Sequence, residues 1–78
     1  MEKVVVRLNS VDRVKEFVNE TTKADFDMDL VSGRYVIDAK SIMGIFSLDL
    51  SKDIELHIHE ADKNEVDKFL KAIKGFLV

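Results

Sequence analysis

The sequence predicts an α+β fold in which four amphipathic strands form an antiparallel sheet and three helices cover one of its faces. Three observations support this prediction. Alternating apolar and polar residues mark strands, apolar residues at helical spacing mark helices, and the elements follow the order βαββαβα. A sheet whose residues alternate in polarity turns one face to a core and the other to water. We therefore expect an open-faced β-sandwich.

The first strand and helix follow from local patterns of polarity. Residues 3–8 alternate as a strand whose charged side chains choose the solvent face. Its inward residues are then Val4, Val6 and Leu8. Asn9 or Ser10 caps the helix that follows. The apolar face of that helix consists of Val11, Val14, Phe17 and Val18.

A hairpin is predicted next. Residues 25–31 alternate strictly, and Ser32 with Gly33 reads as a two-residue loop. That loop sets the expected register of the two strands. The expected pairs are Val31 with Arg34, Leu30 with Tyr35, Met28 with Ile37, Phe26 with Ala39, Asp25 with Lys40, and, unfavourably, Asp27 with Asp38.

The last strand and helix repeat these two patterns. Residues 53–60 alternate as the fourth strand, with Ile54, Leu56 and Ile58 inward. Asp62, with Glu65 three residues later, forms a capping box for the last helix. The apolar face of this helix consists of Val66, Phe69, Leu70, Ile73 and Leu77.

A short helix precedes the fourth strand. Ser41 is placed to cap it by accepting a hydrogen bond from the N–H of Gly44. Its two apolar flanks are Ile45 with Leu48, and Ile42 with Met43 and Phe46. Because so short an element cannot bury both flanks, we expect the second flank to be exposed and to dock a partner. The alternative is that the last helix covers part of it as ordinary core.

Composition restricts the function of so small a chain. At 78 residues with 46% apolar residues, we expect one domain spanning residues 1–78. The absence of cysteine excludes disulfides and thiolate metal sites and favours a reducing cytoplasm. No membrane span or signal peptide is evident, and a net charge of −3 without a basic stripe argues against nucleic acid. We therefore expect a cytoplasmic protein with protein partners, and neither nucleic acid nor a membrane.

Two stretches of the sequence carry side chains of the kinds that bind metal ions. His57 and His59 share a strand face and could, with Glu55, bind a divalent ion loosely, but a solvated strand face is the preferred interpretation. Residues 25–29 resemble the start of a calcium loop, yet Leu30 and Val36 stand where glycine and glutamate are required. We expect no metal and no cofactor. No nucleophile, base and orienting group come together in the pattern, so we expect no enzyme.

The segment AKSIMGIFSLDL, residues 39–50, resembles the regulatory-serine segment of the HPr family, the phosphocarriers of the bacterial sugar phosphotransferase system. The family's Lys-Ser-Ile-Met-Gly run and its later Ser-Leu pair are matched by Lys40, Ser41, Ile42, Met43, Gly44, Ser47 and Leu48. The element order is also HPr-like. The resemblance implies that Ser41 is the serine phosphorylated by HPr kinase/phosphorylase, with Lys40 beside the phosphate. It also implies partner-binding positions at Ile42, Met43 and Phe46.

The chain departs from the family at the junction before the first helix. HPr proteins carry the phosphoryl group on a histidine in a segment close to Gly-Leu-His-Ala-Arg-Pro, whereas residues 8–13 read LNSVDR in a shorter loop. The resemblance therefore implies that phosphocarrier activity is lost. In this respect the chain is similar to the catabolite-repression HPr, which keeps the regulatory serine and serves a transcriptional regulator of carbon metabolism.

The sequence is compatible with three functions. The first is a regulatory or adaptor protein switched at Ser41, whose partners are HPr kinase/phosphorylase, a transcriptional regulator or phosphotransferase components. The second is a constitutive interaction or dimerisation module without phosphorylation. The third, which we favour least, is a working phosphocarrier that uses another residue. The oligomeric state is left open.

Overall fold

The computed structural model describes residues 2–78 and confirms the predicted α+β fold and element order. The strands are β1 (Glu2–Val6), β2 (Met28–Ser32), β3 (Tyr35–Asp38) and β4 (Ile54–Ile58). The helices are α1 (Val11–Lys23), α2 (Ile42–Ile45) and α3 (Lys63–Ala72), and a 3₁₀ turn spans Lys74–Phe76. The strands form one antiparallel sheet in the order β1-β4-β2-β3. No helix among residues 2–78 is long and apolar enough to cross a membrane.

The core lies between the inner face of the sheet and the long helices. The strands contribute Val6, Met28, Leu30, Ile54, Leu56 and Ile58, all buried, as their alternation predicts. The helices contribute Val14, Phe17, Val66 and Phe69, and Ile73 is buried directly after the end of α3. Two edge-to-face aromatic pairs, Phe17 with Phe76 and Phe26 with Phe69, each have ring centroids 5.7 Å apart. This geometry is the one that aromatic rings favour in protein interiors.

Helix α1 begins as expected and buries Val14 and Phe17 of its predicted apolar face, with differences at its two ends. Ser10 caps it, since its hydroxyl accepts a hydrogen bond from the N–H of Arg13 at 3.2 Å. Val11, predicted to lie on the apolar face, is 54% exposed in the first turn. Thr21, a polar residue, is fully buried, and its hydroxyl donates to the carbonyl of Ala39 at 2.9 Å. This bond ties the end of α1 to the segment that leads into α2.

The hairpin register differs from the prediction by two residues. The turn residues are Gly33 and Arg34, and the pairs are Ser32 with Tyr35, Val31 with Val36, Leu30 with Ile37, and Asp29 with Asp38. Gly33 has φ +58° and is the only described residue with positive φ. Glycine at the first central position is the requirement of a type II′ turn, so this residue sets the register. A shift of two keeps every side chain on its predicted face.

Two other predictions for the hairpin are wrong for the same reason: the start of β2 at residue 25 and the pairing of Asp27 with Asp38. Strand β2 begins at Met28, whose carbonyl accepts a hydrogen bond from the N–H of Ala39 directly after β3, and residues 25–27 precede it. Asp38 therefore lies opposite Asp29 instead of Asp27. Lys40, predicted opposite Asp25, lies in the turn after β3.

The C-terminal segment is also different from the expected long helix. Asp62 caps α3 by accepting a hydrogen bond from the N–H of Asn64 at 2.8 Å, and the reciprocal Glu65 bond of a capping box is not formed in the described residues. Helix α3 ends at Ala72. The 3₁₀ turn then buries Phe76 in the core, whereas Leu77, predicted to face it, is 36% exposed and forms a bridge with Val6.

Candidate functional site

The turn between β3 and α2 holds Ser41 in the predicted capping position. The Ser41 hydroxyl accepts a hydrogen bond from the N–H of Gly44 at 3.2 Å. The Ser41 N–H donates to the carbonyl of Asp38 at 2.9 Å, and the Asp38 carboxylate accepts from the N–H of Lys40 at 2.9 Å. These local bonds turn the chain from the strand into the helix. The side chain of Ser41 is half-buried at the surface.

Gly44 allows α2 to lie close to β3. A Cβ atom added at Gly44 would lie 2.6 Å from Cγ2 of Ile37 and 3.1 Å from the Ser41 hydroxyl oxygen. A side chain there would separate the helix from the sheet and crowd the cap. Gly44 thus allows α2 to lie close to Ile37 of β3, with Ser41 at the start of the helix. The sequence pattern alone did not reveal this role.

The two apolar flanks of the α2 segment differ in exposure. Ile45 and Leu48 are buried, as predicted. Met43 is 79% exposed and Phe46 is 38% exposed, and we call these two residues the Met43 flank. Ile42, expected to be exposed with them, is half-buried against the core. Ile42 is the first residue of α2, and part of its side chain packs on the core. It therefore offers less exposed apolar surface to a partner than Met43 does.

Lys40 contacts a different element from the one expected. Its ammonium group donates a hydrogen bond to the carbonyl of Ala24 at 2.8 Å. Ala24 is the C-cap residue of α1, and a cation is favourable beside the carbonyls at a helix C-terminus. Lys40 therefore joins the end of α1 to the start of α2. A role of Lys40 beside a phosphate at Ser41 stays a prediction. For that role, the ammonium group would have to leave the carbonyl of Ala24 and turn to the phosphate.

The junction between β1 and α1 is built around Arg13. Its guanidinium donates to the carbonyl of Gly75 at 2.9 Å and to that of Arg7 at 3.2 Å. It also lies over the ring of Phe76, 4.5 Å from the centroid. These are structural contacts that fasten the C-terminal turn to α1. The guanidinium of Arg13 is thus occupied by contacts within the protein.

The two histidines are paired with carboxylates on or beside the open face of the sheet. Nε2 of His57 lies 2.8 Å from Glu55 Oε1, and Nε2 of His59 lies 2.7 Å from Asp29 Oδ2. The hydrogen bond with His57 is the main cause that lowers the pKa of Glu55 below its ordinary value of 4.5. Among residues 2–78, no three His, Asp or Glu side chains are grouped to hold a metal ion.

The loop after α2 carries a second perturbed carboxyl group. The hydroxyl of Ser51 donates to Asp49 Oδ1 at 2.6 Å and its N–H donates to the same atom at 3.1 Å. These two bonds, assisted by the charge of Lys52, lower the pKa of Asp49 below its ordinary value of 3.8. Because folding depresses this pKa, its stabilising contribution is present above pH 3.8 and is lost as the pH falls through the folded value.

We expect Ser51→Ala to raise the pKa of Asp49 toward 3.8, since the hydroxyl bond is the largest cause of its depression. An NMR titration of the Asp49 carboxyl carbon measures this directly. Ser47→Ala is the matched control, because the Ser47 hydroxyl donates to the carbonyl of Gly44 and does not contact Asp49. An unchanged Asp49 pKa in Ser51→Ala would contradict the assignment.

Comparison with known proteins shows what this arrangement resembles. A family model described as the PTS HPr component phosphorylation site matches residues 13–78. HPr-C-His from Thermoanaerobacter tengcongensis is similar in structure, with a TM-score of 0.75 and 25% identity, covering 94% of this chain and 90% of that one. The phosphocarrier protein HPr from Bacillus anthracis strain Ames is similar in fold, with a TM-score of 0.67 and 22% identity, covering 91% of this chain and 92% of that one. Among curated proteins, no significant match is found.

The family match covers most of the fold but not its first junction. It begins at Arg13, so residues 8–12 of the segment LNSVDR at this junction lie outside it. HPr proteins are phosphocarriers and not enzymes, in agreement with the prediction that the chain has no enzymatic activity. From the matched region and the shared fold, the chain belongs to the HPr family of the phosphotransferase system.

Proposed function

We propose that this HPr-family protein is a regulatory or adaptor protein that carries no phosphoryl group on histidine and is switched by phosphorylation of Ser41. The observation that carries the proposal is the placement of the half-buried Ser41 hydroxyl at the start of α2, beside the exposed Met43 flank. A modification at Ser41 would change the charge next to an apolar surface. In this proposal one HPr-like domain, residues 1–78, acts in the cytoplasm.

The absence of carrier activity is supported by the residues at the junction. The sequence contains two histidines, and neither lies between β1 and α1. His57 is in the middle of β4, opposite Lys3 and Asp29, on the sheet face turned away from the core. A phosphohistidine requires a nucleophilic ring nitrogen next to phosphate-binding donors, such as those at a helix N-terminus. At the start of α1 the N-cap is Ser10, whose oxygen cannot replace an imidazole nitrogen at neutral pH.

The switch follows from the charge that phosphorylation adds. A phosphoserine brings about −1.5 to −2 charges at neutral pH. On a chain of net charge −3, this is a large change beside the Met43 flank. The favoured partner is a protein that covers Met43 and Phe46 with an apolar pocket and contacts the phosphate with arginine or lysine. HPr kinase/phosphorylase, a transcriptional regulator and phosphotransferase components are the candidate partners.

We expect one phosphoryl group on the protein after incubation with HPr kinase/phosphorylase and ATP, and none on Ser41→Asn. Asparagine keeps an N-cap side chain and removes the hydroxyl, so the helix start is retained. Intact-mass spectrometry measures the modification, and Ser47→Ala is the matched control that should still be phosphorylated. Equal labelling of Ser41→Asn, or no labelling of the natural sequence, would disprove the switch. We also expect no acid-labile label from phosphoenolpyruvate and Enzyme I.

A constitutive interaction module is the second candidate, and the exposure of Met43 favours it independently of Ser41. At 79% exposure, Met43 is available without any modification. In that case Met43→Asp would abolish partner binding, whereas Ser41→Asn would leave it unchanged. The two candidates thus differ in which of these substitutions affects binding of the same partner.

A further inference from the structure

The two edge strands of the sheet, β1 and β3, differ in how much of their outer backbone is hydrogen-bonded. Along β1, the C-terminal segment covers one end of the edge: the Val78 N–H donates to the carbonyl of Val5 at 3.0 Å, and the Arg7 N–H donates to that of Phe76 at 2.9 Å. Strand β3, at the other edge, pairs only with β2 among the described residues. An uncovered edge strand is a template for a further strand. The β3 edge is therefore open to the addition of a strand.

The open edge is exposed and has free backbone groups at its centre. Tyr35 is 67% exposed and Val36 is 63% exposed. The Ala39 N–H donates to the carbonyl of Met28, so odd-numbered residues of this segment point their backbone groups toward β2. The N–H and carbonyl of Val36 then point outward, as does the N–H of Asp38.

We propose that β3 pairs antiparallel with β3 of a second copy of this chain, centred on Val36. In this register the two Val36 residues exchange both backbone hydrogen bonds. Tyr35 of each copy lies opposite Ile37 of the other, which brings apolar side chains together on the helical side of the sheet. Arg34 of each copy is brought within reach of Asp38 of the other.

The charges favour a second copy over an unrelated extended peptide. Within one molecule Asp38 lies opposite Asp29, a like-charge pair that is unfavourable. Arg34 of the second copy, placed beside Asp38, would compensate that repulsion. The two-fold axis produces this ion pair twice. The same strand thus carries both the arginine and the aspartate of the ion pair. An arbitrary partner strand does not provide this charge pattern.

The pairing would give a closed dimer of modest affinity. The two-fold pairing uses the β3 edge of both copies, so the two sheets join into one and this contact closes on itself. A contact of one four-residue strand from each copy lies below the roughly 1,200 Å² typical of stable complexes. The association is therefore weak and concentration-dependent. This inference is independent of the switch at Ser41.

Charge-reversal variants test the register. Arg34→Asp and Asp38→Arg should each raise the dimer dissociation constant by about tenfold, because two attractive pairs become repulsive. An equimolar mixture of the two variants should associate as well as the natural protein, since each then meets the opposite charge. Sedimentation equilibrium measures the association. Circular dichroism checks that Asp38→Arg, which loses the bond to the Lys40 N–H, still folds.

Hydrogen exchange of the Val36 amide gives the residue-level readout. In the dimer this amide is hydrogen-bonded, so its exchange should slow as the protein concentration rises, whereas the Arg34→Asp variant should need about tenfold more protein for the same slowing. A protein that stays monomeric at millimolar concentration would overturn the proposal. So would association that the mixed variants fail to restore, which would place the contact elsewhere, for example on the Met43 flank.

Discussion

Replacement of Phe17 by alanine should unfold this protein at room temperature. Phe17 is fully buried on α1 and packs edge-to-face on Phe76, with ring centroids 5.7 Å apart. Truncation of a buried phenylalanine costs about 3–5 kcal/mol. A core in a domain of this size supplies roughly 3–5 kcal/mol in total, so little stability remains. Urea denaturation followed by circular dichroism should show no cooperative transition for the variant.

Val11→Ala is the matched control on the same helix. Val11 is 54% exposed, and an exposed substitution of this kind changes the free energy of unfolding by about 0.5 kcal/mol or less. Its urea midpoint should stay near that of the natural protein. If Phe17→Ala also kept a cooperative transition with a similar midpoint, the packing of α1 against the C-terminal turn would be unimportant for stability.

The patterns that predicted the fold are those set by local geometry. A strand alternates with a period of two and a helix with a period of 3.6, so buried and exposed faces are readable from the sequence. The buried side chains of β4 and α3 follow these periods closely. The hairpin register was not readable in the same way, because a shift of two residues leaves every face unchanged. Only the backbone requirement of Gly33 distinguishes the two registers.

The site was partly predictable for the same reason. The Ser41 cap depends on a residue three positions away and was predicted correctly. The contacts that hold the site in place join distant parts of the chain: Lys40 reaches Ala24, and Thr21 reaches Ala39. Arg13 likewise contacts Gly75. No periodicity connects such residues, so their roles became evident only when the packing of the elements was known.

Gly44→Ala should destabilise the protein by about 1–3 kcal/mol, the usual cost of forcing an extra methyl group into a packed region. The added Cβ would lie 2.6 Å from Cγ2 of Ile37, closer than atoms can approach, so the Ile37 side chain or α2 itself must shift. Alanine has the higher helix propensity, by about 1 kcal/mol, but the clash opposes this gain. The free energy of unfolding from urea denaturation gives the measurement.

Gly75→Ala separates the clash from the general effect of losing a glycine. A Cβ at Gly75 meets no atom within 4 Å, and its φ is not positive, so this substitution should be neutral or stabilise by about 0.4–1 kcal/mol. In the proposed switch, where Ser41 is the phosphorylated residue, replacement of Gly44 should also displace the Ser41 cap and slow phosphorylation by HPr kinase/phosphorylase. Gly75→Ala should leave that rate unchanged. If Gly44→Ala were as stable as the natural protein and as good a kinase substrate, close packing of α2 on β3 could not be what positions Ser41.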